Sequence, residues 1–348
     1  EGMIRLGLGG TSTKAIESIM SPETIQNDGP NGIYSYPLGQ YANTDKSSGD
    51  PCAVDANDPN LAYKFGTMAN ETVVAQTFNK DLANEYGKIC GNYSLWSNLT
   101  IFWGCGTNLH RSPYNARNHE YYSEDAVLTS GQAVAFISGG KEYGVIIAPK
   151  HLAFNDTEIN RLGVSVFMTE QQARENELRG TQAAIEDAGA LGVMTAFNRV
   201  GITAANAHTG LLKNILRGEW GFKGLESQDF IMNPNYAVLK EYALNGGTMT
   251  TFTGENTMAA VSEKFAYWTT ENVGQDTELM SAIKQAMTWQ AYALANSNAL
   301  DGMASSTRLV SVRTWYDNAL VAVQVVFAAL TVLAAAMYVL NDRKSKKQ

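Results

Sequence analysis

Residues 105–125 read CGTNLHRSPYNARNHEYYSED, and this stretch decides the fold. It follows TIFW at 100–103, a short apolar run of β-branched and aromatic residues that suits a buried strand. The residues after that run are poor packers and good chemists: Asn108, His110, Arg111 and then RNHEYYSED at 117–125. Cations, imidazole, amide, carboxylates and aromatics gathered just past a strand end are what a barrel enzyme places at its active face. Singly each residue is weak. Tyr121-Tyr122 alone would read as packing, a lone Lys-His pair as surface, and a lone Asp as a helix cap.

Working outward, the same pattern repeats. A candidate strand at 144–148 is followed by Lys150-His151, and one at 192–197 ends in Phe197-Asn198-Arg199. A segment after Gly224 ends at Asp229, and 4–8 is a further candidate strand. Between them lie helical stretches. Thr169 and Gln172 form a capping box for a helix running through AAIEDA (183–188), which stops at Gly189, a suitable left-handed residue. A second helix is expected at 211–218. Such alternation over residues 1–300 predicts a (β/α)8 TIM-type barrel. An open doubly wound sheet is the alternative, but no Gly-rich phosphate turn supports it. The charged groups can fork onto hydroxyl pairs while aromatic faces stack on an apolar ring face, so the site suits a polyol.

Residues 319–340 read ALVAVQVVFAALTVLAAAMYVL, 22 residues without a charge. As a helix this spans roughly 33 Å, enough for a hydrocarbon core of about 30 Å. Trp315, Tyr316 and Tyr338 stand where interfacial anchors would, and Arg343, Lys344, Lys346 and Lys347 follow at once. The expectation is a linker at 301–318, one transmembrane helix at 319–340 and a basic cytoplasmic tail at 341–348. The barrel then lies outside the cell, anchored at its C-terminal side. A buried core helix would leave the length and the abrupt basic end unexplained.

Composition narrows the function classes. Hydrophobic residues at 45% and charged ones at 17% allow a sizeable core and argue against disorder. A net charge of −8 argues against a nucleic-acid partner, whose phosphates need a basic surface. Cys52, Cys90 and Cys105 lack CxxC spacing and read as buried or idle thiols, with one disulfide open. His110, His119, His151 and His208 show no metal-ligand spacing, so neither a metal nor a cofactor is expected.

The order of the blocks resembles family 3 of the glycoside hydrolases. Residues 27–32, NDGPNG, resemble that family's DGPxG turn, and 105–125 its GPGxNIxRxPxxGRNxEYxSED block. KHLAFNDTEINR (150–161) is similar to KHFxxNxxExxR, and TEQQARENELRG and GLLKNILRGEWGFKG to the helices before the later strands. LESQDF falls where the family has its SDW or SDY motif. The resemblance covers residues from about 20 to 260 and implies a retaining, exo-acting β-glucosidase.

By position it implies Asp229 as nucleophile, forming a covalent glycosyl-enzyme. It implies Asp28, Arg111, Lys150, His151 and Arg161 as hydroxyl-binding groups, with Phe197 in the same subsite. The substrate would be a β-glucoside or a short β-linked oligosaccharide. Three departures matter: Ala116-Arg117 stands for the motif's Gly-Arg, Phe197 for a Tyr, and Ser227-Gln228 for a more apolar pair. The His-Asp lid of the N-acetylglucosaminidase branch is absent, since Leu-Ala-Phe-Asn follows His151.

Retention needs a second carboxyl about 5–5.5 Å from the nucleophile. The resemblance implies that it comes from an α/β sandwich domain, here expected before the barrel in a permuted order, or from a partner chain. Glu158, Glu175 and Glu226 are the in-chain substitutes. The sequons at Asn70, Asn92, Asn98 and Asn155 fit an outside location, but a glycan at Asn155 would fall inside a site block. That, with the permuted order, points to a bacterial source. The competing readings are a β-xylosidase or broad β-glycosidase, and a non-catalytic sugar-binding or incomplete surface subunit.

Overall fold

The computed structural model describes residues 12–13, 24–33, 57, 68–97, 99–229, 238–250, 269–299 and 315–345. The chain divides into two compact units, Glu1–Ser306 and Thr307–Gln348.

In the first unit one sheet carries six strands in chain order. They are β1 (Ser12–Thr13), β2 (Thr24–Asp28), β3 (Leu99–Gly106), β4 (Ile146–Leu152), β5 (Gly192–Thr195) and β6 (Leu225–Gln228). Only the β1–β2 pair is antiparallel. From β2 onward each strand pairs in parallel with the next, and Met249 extends the series by one bridge to Ser227. Strands that are sequential, neighbouring and parallel require a crossover each time. Helix α3 (Ala126–Lys141) links β3 to β4, and α4 (Arg179–Glu186) lies between β4 and β5. Among the described residues this is an arc of five parallel strands, a half-barrel, where eight were expected. The 4–8 candidate strand lies outside the described residues.

Every residue of β3 and β4 is buried, as expected of strands covered on both faces. Phe102 and Ile147 turn outward to meet Tyr86, Cys90, Ala133, Phe136 and Ile137. Those partners lie on α2 (Lys80–Trp96) and on α3. Ile101, Trp103, Ile146, Ala148, Met194 and Leu225 turn inward and form the interior cluster. The two helices approach closely through glycine. A Cβ on Gly87 would stand 2.0 Å from Phe136 O, and one on Gly139 2.1 Å from Asn84 O. Alanine at either position would push α2 and α3 apart.

Several boundaries differ from the sequence expectation, and each shift has a reason. Strand 144–148 runs instead from Ile146 to Leu152, so Lys150 and His151 belong to the strand end rather than to a loop. Their ladder partners explain it: Lys150 pairs in register with Gly106 and Met194. The 169–188 helix begins at the Thr169 cap, whose hydroxyl accepts from Gln172 N at 3.2 Å. It then passes through a π-helical turn, Ala173–Glu177, before α4. Gly189 ends the stretch with φ +62°, the left-handed value that glycine adopts without penalty. The 211–218 helix is π-helical over Gly210–Glu219.

Cys90 and Cys105 are free, buried thiols, and Cys52 lies outside the described residues. Asn155 is 1% exposed, so no glycan fits on it in the fold. Asn70 is occupied as the N-cap of α1 (Glu71–Ala75), and Asn98 lies outside the described residues.

Among the described residues the second unit holds one helix, Trp315–Ser345, long and apolar enough between Trp315 and Tyr338 to cross a membrane. Its large apolar side chains, Leu320, Phe327, Val332 and Leu333 among them, are exposed. Thr331 turns its hydroxyl back to Phe327 O at 2.8 Å, so the helix itself satisfies a polar group facing outward.

Candidate active site

The parallel ladder brings the C-terminal strand ends side by side. Asp28 ends β2, Lys150 and His151 lie at the end of β4, and Asp229 follows β6. Asp229 N is tied to Thr195 O at 3.3 Å, which fixes the last turn of β6 against β5.

Charges alternate through this face. Lys150 is 1% exposed and pairs with Asp28, with Glu120 Oε2 at 3.8 Å. Glu120 also pairs with Arg117, whose guanidinium reaches Glu158 Oε1 at 3.4 Å. Glu158 Oε2 accepts from Arg161 at 2.7 Å, and Arg161 lies over the Phe197 ring, 4.4 Å from its centroid. Burial works against the Lys150 charge, but Asp28 and Glu120 outweigh it and its pKa stands raised. Burial likewise opposes the Glu120 anion, yet Arg117 and Lys150 hold its pKa below the ordinary value. Within this ring of paired side chains Lys150 and Glu120 are therefore held charged by their neighbours before any ligand arrives.

His151 sits beside the ring, fully buried. Its Nε2 is 3.4 Å from Asp229 Oδ2 and its Nδ1 3.1 Å from the Tyr121 hydroxyl. Burial, then Arg117, Lys150 and Arg161, push its pKa well below the usual imidazole range, so it is neutral.

The structure thus brings together Asp28, Lys150, His151, Arg161, Phe197 and Asp229. Arg111 is placed differently. Its guanidinium binds Asp156 Oδ2 at 2.7 Å and Glu177 Oε1 at 3.4 Å. Burial pushes the Asp156 carboxyl up to about 6 and that of Glu177 up to about 8, with Asp156 adding to the latter. The arginine that meets the ring is Arg117, and Tyr121, Glu120 and Asp229 are among the groups that raise its pKa against burial. Both arginines lie in the 105–125 block. The readable signal was the alternation of Arg117 with Glu120, three residues apart and able to pair across a 3-10 turn at Asn118–Glu120. Tyr121 and Asn155 were also passed over as site groups, and Glu158, considered as an acid/base, stands here as a partner of the arginines.

A family model described as the glycosyl hydrolase family 3 N-terminal domain matches residues 60–248, more than half of the chain. The chain belongs to glycosyl hydrolase family 3. Among curated relatives it is 32% identical over 218 residues to a probable β-glucosidase J of Emericella nidulans, covering 63% of this chain and 23% of that one. It is 35% identical over 176 residues to a β-glucosidase of Ruminococcus albus, covering 50% and 18%. The chain therefore spans about a quarter or less of the relatives' length. Among solved structures it is similar to β-glucosidase 3B of Thermotoga neapolitana in complex with glucose. That match has a TM-score of 0.72 and 24% identity, over 87% of this chain and 42% of that one. A β-glucosidase of Kluyveromyces marxianus aligns with TM-score 0.65 and 26% identity, over 88% and 34%.

The three carboxyls that the sequence offers as in-chain acid/base candidates are placed as follows. Glu158 is committed to Arg117, Arg161 and the Asn155 amide. Glu175 is exposed and accepts from Gln171 on its own helix at 3.0 Å. Glu226 pairs in register with Val193, whose side chain packs with Leu211, Leu212 and Leu216, so it points to the helix side of the sheet. Parallel neighbours in register share a face.

Glu226 has a different consequence. Its carboxyl oxygens lie buried without a partner at bonding geometry, and burial pushes its pKa up to about 7. A carboxyl with a folded pKa above its unfolded value binds its proton more tightly in the fold, so stability falls as pH rises between the two values. Glu226→Gln should therefore match the parent below the ordinary value of 4.5 and gain on it up to pH of about 7. The difference should then level off at about 3 kcal/mol. Urea unfolding of both proteins across that range measures it, and parallel curves would rule it out.

Proposed function

We propose that this chain carries the catalytic face of a retaining, exo-acting β-glucosidase that removes terminal β-D-glucosyl residues. The observation that carries the reading is the buried ring itself: Lys150 between Asp28 and Glu120, and neutral His151 beside Asp229. Asp229 attacks the anomeric carbon from below as the bond to the leaving oxygen breaks, giving a glycosyl ester that water later opens. Asp28 and Lys150 hold sugar hydroxyls, with Arg117 in the role first expected of Arg111. Arg161 and Phe197 form one wall, the cation stacked on the ring. Glucose is the sugar in the similar Thermotoga structure, which supports a β-glucoside here.

The acid/base is assigned to a group outside this ring, in an α/β sandwich domain or on a partner chain. Glu120 and Glu158 are bound by arginines, and Asp28 by Lys150. The sheet is read as part of a complete (β/α)8 barrel. The Trp315–Tyr338 segment is read as a single transmembrane anchor, on its length and its exposed apolar surface.

The test is covalent trapping with an activated β-glucoside bearing fluorine next to the anomeric carbon. Its leaving group departs with little acid assistance, so the ring is examined by itself. A stable adduct on the Asp229 peptide by mass spectrometry is expected. Glucose binding without an adduct would reduce the site to sugar recognition.

A further inference from the structure

Asn155 is almost fully buried, and its amide nitrogen has two contacts, Glu158 Oε1 at 3.0 Å and the Tyr121 hydroxyl at 2.8 Å. Glu158 receives hydrogen bonds from Arg161 and Arg117, so its oxygens act as acceptors and the Asn155 group facing them is the NH₂. That orients the amide without ambiguity. The Tyr121 oxygen then accepts from Asn155, and its own single proton is directed at His151 Nδ1, 3.1 Å away. A neutral imidazole has one proton, and an Nδ1 that accepts leaves that proton on Nε2. Nε2 is the atom that faces Asp229 Oδ2, at 3.4 Å. The chain of donors therefore runs in one direction, from Asn155 through Tyr121 and His151 to Asp229.

We propose that Tyr121 is a positioning residue that locks His151 in its Nε2–H tautomer, so that the site presents a neutral donor to the Asp229 carboxylate. This rests on the nucleophile assignment above. The opposite tautomer would set a lone pair against the Asp229 oxygens. A doubly protonated ring would bind the carboxylate tightly and blunt it as a nucleophile. The donor relay avoids both. Burial and the neighbouring cations, Arg117 first, keep the second proton off the ring. The Tyr121 ring meets His151 edge-on, with centroids 6.2 Å apart, so phenylalanine keeps that contact and removes only the hydroxyl.

The experiment is nitrogen NMR of the histidines in the full chain, with His151 identified by loss of its signals in His151→Gln. In the parent protein Nε2 should carry the proton and Nδ1 should be bare. In Tyr121→Phe the Nδ1–H form should become a substantial part of the population. Trapping by the fluorinated glucoside should slow about tenfold, the effect of one well-placed hydrogen bond, with saturation unchanged. A parent His151 protonated on Nδ1, or a Tyr121→Phe spectrum with the parent tautomer, overturns the proposal. The parent spectrum decides the point by itself if the variant does not fold. An absent adduct in both proteins alongside the expected tautomers would sink the nucleophile assignment and leave the relay standing.

Discussion

Replacing Asp229 by alanine should lower the turnover of an activated aryl β-glucoside by about ten-thousandfold or more, with the fold intact. The magnitude follows from losing the group that forms the covalent bond, since no solvent water is held in its place with comparable effective concentration. Intactness follows from the backbone. The tie from residue 229 N to Thr195 O does not involve the side chain, and the β5–β6 ladder up to Gln228 remains. Because His151 is neutral, removing Asp229 strands no buried cation on the imidazole. Circular dichroism and urea unfolding should therefore match the parent closely, while the rate collapses. Asp229→Asn should bind glucose better than the alanine variant and turn over as poorly, because an amide fills the space without being a nucleophile. A rate within tenfold of the parent would place the nucleophile elsewhere and dissolve the reading of the face.

How much of this was legible in the sequence depends on what kind of contact each residue makes. The strands were readable because buried parallel strands are short apolar runs, and 100–103 and 192–197 are such runs; their ends were not, since β3 runs on to Gly106 and β5 stops at Thr195. The extension of β4 to Leu152 was not, since Lys150 and His151 look like loop residues until the Gly106 and Met194 ladders hold them in the sheet. The π-helical turn at Ala173–Glu177 leaves no mark in an apolar periodicity read at 3.6 residues. Arg111 and Arg117 shared one block and the same chemistry, and only the third dimension separates them. One turns to Asp156 and Glu177, the other to Glu120 and Glu158. Tyr121 read as packing, and by burial it does pack. Its role as a donor depends on where its hydroxyl ends, which spacing along a loop does not encode. Glu226 is the same lesson reversed, since a carboxylate in a functional block points away from the site and costs stability instead.

Lys150→Met tests the energetic side of the ring, and the expected loss is about 3–5 kcal/mol near neutral pH, the range for breaking a buried ion pair by removing one partner. Methionine has nearly the right length and no polar atom, so the loss measures charge rather than a cavity. Without the ammonium, Glu120 keeps Arg117 but loses one of the basic groups that hold its pKa down. Asp28 is 31% exposed and can take water in compensation, so most of the penalty falls on Glu120. The pH dependence gives the sign check. Glu120 has a depressed folded pKa, so its pairing contributes above its unfolded value of about 4.5 and fades as pH falls through the folded one. The variant's deficit should accordingly narrow on acidification, as a proton takes over part of the lysine's task. It should be full at neutral pH, where the parent lysine, with its raised pKa, is entirely charged. A deficit that stayed constant down to pH of about 3 would mean lost packing rather than lost charge. No deficit at all would mean that Glu120 and Asp28 are adequately served by water and Arg117. The ring would then be an arrangement formed around a bound sugar, and the same substitution should still abolish glucose binding.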